Sequence, residues 1–130
     1  MDSKSRGGFT LIELLIVVVV IGILASIAIP KFSAMREKSY VAAVTSDLKN
    51  FASQQEIYLS NNFAYAPSIA SLPDLTVTDR VTLTVNEATQ TGWAATGTHS
   101  GLVTQCGLYF GSAAAAGAAP ATVPGVVTCN

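Results

Sequence analysis

One carboxylate stands where hydrocarbon is expected. From Phe9 to Ile29 the sequence reads FTLIELLIVVVVIGILASIAI, 21 residues in which Glu13 is the only charge. An acidic side chain inside a membrane is costly unless something compensates it. Glu13 lies about one turn from the start of the run, where the headgroup boundary and the positive end of a helix dipole relieve a negative charge. A second source of compensation is chemical. Cutting between Gly8 and Phe9 creates a new α-amino group on Phe9, four residues before Glu13. The cationic terminus of a neighbouring chain then meets this carboxylate in the apolar medium, which sets the axial register between copies.

Other residues of reactive type give weaker patterns. His99 sits beside Ser100 in Gly97-Thr98-His99-Ser100-Gly101, but adjacency does not make a triad and no G-x-S-x-G elbow is present. A surface histidine in a turn is the expectation, and no enzyme is expected. Beyond the long helix the only carboxylates are Asp74, Asp79 and Glu87, which lack the dense spacing of a calcium loop. The cysteines, Cys106 and Cys129, are too few for a zinc site that usually takes four ligands. They are read as a disulfide closing a loop of 24 residues in an oxidising compartment, with two free buried thiols as the alternative. No metal and no cofactor is expected. The formal net charge of -1, without clustered Lys and Arg, gives no indication of nucleic acid as a partner.

The elements that must carry Glu13 follow from composition. The chain of 130 residues is 50% apolar and 12% charged, and the apolar excess is concentrated in Phe9–Ile29. At 1.5 Å per residue, about 20 apolar residues cross a bilayer core of about 30 Å, so the segment spans a membrane once. Residues 1–8, MDSKSRGG, form a polar leader whose Lys4 and Arg6 keep the N-terminus cytoplasmic and place the head outside, Asp2 opposing this slightly. Ala25-Ser26-Ile27-Ala28 offers small residues for conventional signal cleavage, an alternative that would discard the helix. The expected division is leader 1–8, membrane-spanning assembly helix 9–30, and globular head 31–130.

After Pro30 the pattern becomes amphipathic. Val41, Val44, Leu48, Phe51 and Tyr58, with polar Gln55 among them, form one helical face, while Arg36, Lys38, Asp47, Lys49 and Glu56 fall largely outside it. The helix is predicted to end near Leu59 to Asn62, where Ser60-Asn61-Asn62 supplies turn formers. Phe63 to Asp79 reads as a loop. Val81 to Val85 alternates as a strand with Val81, Leu83 and Val85 turned to the helix. Trp93–Thr96, Leu108–Phe110 and Val126–Cys129 are shorter strand candidates. Gly111 to Pro124, rich in Ala, Gly and Pro, is expected to be flexible. The fold class is α+β, a long N-terminal helix on a small antiparallel sheet.

The string Gly8-Phe9-Thr10-Leu11-Ile12-Glu13, followed by an unbroken apolar helix and Pro30, resembles the N-terminus of type IV pilins and the related pseudopilins. The resemblance covers roughly a quarter of the chain, through about Pro30, and implies the pilin fold. It further implies that a prepilin peptidase cuts after Gly8 and methylates the amine of Phe9, recognising Gly8 and Glu13. By the same resemblance, Glu13 pairs with the Phe9 amine of an adjacent subunit. The segment from Gly22 to Pro30 is implied to lose helical structure in a filament; Pro30 lacks an N–H for the Ser26 carbonyl and Gly22 is a weak helix former. The implied partners are the peptidase, an inner-membrane assembly platform, membrane lipid before assembly, and copies of itself or related pilins. The implied role is a major or minor pilin, with a secretion pseudopilin or DNA-uptake minor pilin as the alternative. The nearly uncharged C-terminal part of the head departs from the calcium-binding pseudopilins and favours the pilus subunit.

Overall fold

A computed structural model describes residues 7–130. The chain divides into two compact units, one ending at Arg36 and one comprising Glu37–Asn130, and the division falls within a single helix, α1 (Leu11–Asn62). In the first unit α1 is helical through Pro30, and every large apolar side chain from Phe9 to Ile29 is exposed. A helix apolar on all sides is one built for lipid or for other helices. The Ser26 hydroxyl donates to the Ile23 carbonyl at 2.7 Å, a local bond in the turn preceding the proline.

In the second unit the same helix becomes one-sided. Val44, Leu48, Phe51 and Gln55 recur at helical spacing and are buried, and α1 ends at Asn62 as its turn formers predict. Four strands follow: β1 (Val81–Ala88), β2 (Gly92–His99), β3 (Gln105–Gly111) and β4 (Thr128–Cys129). They form an antiparallel sheet in the order β1-β2-β3-β4, with a bulge between Val85 and Glu87. Leu83 is buried between exposed threonines, as its alternation requires. The α1 side chains pack on Leu83, Trp93, Ala95, Cys106 and Leu108, and Phe51 meets Trp93 edge-on with ring centroids 5.0 Å apart. Gly97 permits this close approach, because a Cβ there would lie 2.8 Å from Val44 Cγ1 and 2.9 Å from Leu83 Cδ2.

Three expectations are corrected. β2 runs from Gly92 to His99 rather than over Trp93–Thr96 alone; nearly all of it is buried, so it lacks the polar alternation that marks a half-exposed strand. The segment from Gly111 to Pro124 is not a flexible loop. It forms a short 3-10 turn at Ala115–Ala118 and buries Ala113, Ala118 and Ala121 against Ala94 and Tyr109 on the sheet face opposite α1. Methyl groups let its backbone lie flush on Gly107, and Asn86 Nδ2 donates to the Gly117 carbonyl at 2.7 Å while the Ala114 N–H donates to Glu87 at 3.0 Å. Asp47 is buried rather than solvated, since the amide and hydroxyl of Thr78 donate to its two carboxylate oxygens at 2.9 and 3.0 Å.

Candidate functional site

The N-terminal end of α1 brings the motif residues together. Gly8, Phe9 and Thr10 precede the helix without regular structure and are exposed; Phe9 is 89% exposed, and nothing lies within 4 Å of a Cβ placed on Gly8. Neither side of the Gly8–Phe9 bond is covered by the rest of the described chain. Thr10 and Glu13 then form a reciprocal pair. The Thr10 N–H donates to Glu13 Oε2 at 2.8 Å, and the Glu13 N–H donates to the Thr10 hydroxyl at 3.3 Å. This is a capping box, which satisfies two of the donors a helix start leaves without partners. The carboxylate thus has a partner within its own chain. Thr10 was not among the residues read as functional, although Thr-x-x-Glu before an apolar run is the sequence signature of such a cap.

Gly22 and Pro30, expected to loosen the helix, differ in setting. Gly22 has open space on its Cβ side, and Pro30 sits inside the continuous helix. Lys4 and Arg6 of the leader lie outside the described residues.

The head assembles no nucleophile and base from His99 and Ser100. His99 is buried at the end of β2, not exposed in a turn, and its ring stacks on Tyr40 with centroids 4.0 Å apart. Its Nδ1 accepts from the Gly101 N–H at 2.9 Å, whereas the Ser100 hydroxyl accepts from Arg80 Nε at 3.0 Å. The reason for the burial is long-range: β2 continues to His99, where the α1 aromatic covers it. Among the described residues no group of three or more His, Cys, Asp or Glu side chains could hold a metal ion.

Cys106 and Cys129 are joined in a disulfide. They face each other across the β3–β4 pairing, so the bond ties the last strand to the sheet interior. A pocket of about 300 Å³ opens between α1 and β3, lined by Lys49, Ala52, Ser53 and Glu56 from the helix and by Trp93, Leu108 and Phe110 from the sheet. Among the described residues the buried Trp93 indole N–H has no acceptor. Sequence pattern does not reveal the pocket, because its existence depends on the distance between two elements.

A family described as the prokaryotic N-terminal methylation motif matches residues 3–29. The chain is 35% identical over 101 residues to the type IV wide pilus major component PilA4 of Thermus thermophilus, covering 75% of this chain and 77% of that protein. It is 37% identical over 65 residues to the type II secretion system core protein G of Pseudomonas aeruginosa, covering 50% of this chain and 46% of the relative. The type IV major pilin protein PilA of Myxococcus xanthus is 44% identical over 65 residues, 50% of this chain and 29% of that protein. The match to these last two relatives thus spans less than half of their length.

Proposed function

This chain belongs to the type IV pilin family, and we propose that it is a major or minor pilin, cut between Gly8 and Phe9 and polymerised through α1. The observation that carries this reading is the first part of α1: a helix with every large apolar side chain from Phe9 to Ile29 exposed and one carboxylate, Glu13, near its start. Such a helix is stable in lipid and equally stable in a bundle of its own copies. Moving it from lipid into a bundle gains little hydrophobic free energy, so register comes from packing and from polar pairing. In the proposed filament, prepilin peptidase cuts after Gly8 and methylates the Phe9 amine, and that amine meets Glu13 of an adjacent subunit. Before assembly the chain crosses the inner membrane once, N-terminus cytoplasmic and head periplasmic, and an assembly platform in that membrane draws it into the growing polymer. The weak helix former Gly22 and the missing N–H of Pro30 make the stretch between them the place where the helix gives way on packing.

Intact mass and N-terminal analysis of protein sheared from cells test this reading. The expected mature chain begins at Phe9, carries one added methyl group on its amine, and retains the disulfide. A mature chain that begins after Ala28 would overturn it in favour of ordinary signal cleavage.

The likeness to a type II secretion core protein favours a second reading, a secretion pseudopilin. Fractionation separates the two. A pilin is abundant in sheared filaments, whereas a pseudopilin remains with the membranes.

A further inference from the structure

We infer that the pocket between α1 and β3 is the receiving side of a contact between two copies of this chain, and that Phe63 is the side chain it receives. The inference rests on the filament reading, which supplies copies side by side along a common helix. Phe63 is 82% exposed just past the end of α1, with φ at 58°. A bulky residue in the left-handed region is held there against its own preference, here by the bond from its N–H to the Leu59 carbonyl at 2.9 Å. That conformation closes α1 as a left-handed C-cap, and the Phe63 ring beyond it is left in solvent rather than packed on the head.

The pocket has the matching chemistry. Trp93, Leu108 and Phe110 give it an apolar wall, and Lys49 and Glu56 stand at its helix side as a charged rim. Its volume of about 300 Å³ lies at the lower end of ligand pockets, enough for one large side chain and too little for an extended peptide. An aromatic anchor in a pocket ringed by polar groups is the usual form of an interface hot spot. Phe63 does not line the pocket of its own chain, so knob and hole are separate surfaces of one molecule. Such a contact is heterologous: each copy gives a knob to one neighbour and takes a knob from another, which generates an open polymer rather than a closed dimer. The helix side of the pocket is exposed at Lys49, Ser53 and Glu56, on the α1 through which the proposed filament assembles.

A photoreactive phenylalanine analogue at position 63 of the full chain, irradiated in cells, tests the contact in both sheared and membrane fractions. The expected products are multimers of this chain, with the linked peptides containing Lys49–Glu56 or Leu108–Phe110. Crosslinks that map elsewhere, crosslinks to a different protein, or their absence among assembled copies would overturn the contact. Phe63→Ala is expected to lower the recovery of sheared filaments several-fold while membrane level and disulfide stay unchanged; wild-type recovery would also overturn it. Distribution between the fractions reports separately on the filament reading: a chain confined to membranes defeats that reading, and the crosslink site still decides the contact.

Discussion

The Glu13 carboxylate accepts from the Thr10 N–H at 2.8 Å, so the one charge in the apolar helix is already engaged within its own chain. Capping and subunit pairing therefore draw on the same side chain, and substitutions can separate them. Glu13→Gln keeps an acceptor for the Thr10 N–H but removes the charge that would meet an amine. The expected outcome is a normal membrane level with loss of filaments, read by immunoblot of membrane and sheared fractions. Thr10→Ala removes one cap bond and leaves the carboxylate, and filaments are expected to persist. Equal loss in both variants would mean that the cap alone explains Glu13.

Removing the Cys106–Cys129 disulfide releases the C-terminal strand from β3. For a bond spanning a sequence separation of 23, loop entropy corresponds to about 3 kcal/mol. The paired Cys106→Ser and Cys129→Ser variant is expected to unfold at a Tm lower by on the order of 10 °C or more, measured by circular dichroism in detergent.

Burial, and then the neighbouring Glu56 carboxylate, raise the Tyr65 phenol above its usual range; its hydroxyl donates to Glu56 at 3.1 Å. A phenol whose folded value exceeds the unfolded one stabilises the fold fully below about pH 10, and that contribution is lost as pH rises through the folded value. Thermal melts above pH 10 should therefore fall more steeply for the wild-type chain than for Tyr65→Phe, which lacks the titrating group.

Gln55 is fully buried and bridges the backbone of Ala66 in both directions, donating to its carbonyl at 3.0 Å and accepting from its N–H at 2.7 Å. Gln55→Leu fits the apolar stripe of α1 but strands both backbone groups. Each buried unpaired group costs about 1–3 kcal/mol, so the variant is expected to lose about 2 kcal/mol or more in denaturant melts.

Where local pattern decides structure, reading the residues was enough. The end of α1 lies at its Ser60-Asn61-Asn62 turn, and β1 follows the alternation of Val81, Leu83 and Val85. The Thr10–Glu13 cap has a sequence signature too, Thr-x-x-Glu before an apolar run, but the expected partner of Glu13 was an amine of another chain. What was not legible depends on partners far along the chain. Asp47 looks solvated until Thr78 arrives to bond it, and His99 looks like a turn residue until Tyr40 covers it. Gln55 appears as a flaw in an apolar stripe and is instead the anchor of the following loop. Alanine was the most misleading residue. A run of small side chains suggests little to pack, yet smallness is what allows Ala113, Ala118 and Ala121 to settle against the sheet.

That alanine-rich cover makes the sheet a partition. One face holds α1 through Phe51, Trp93 and Leu108, and the other holds the cover through Ala94 and Tyr109, as two separate clusters of buried side chains. Changes in groups that share no neighbours tend to add independently. The outer plate is thus packed separately from α1, and substitutions at its exposed positions leave the α1 cluster untouched. In the proposed filament, that plate can change the chemistry it displays without altering the packing of α1 on the sheet.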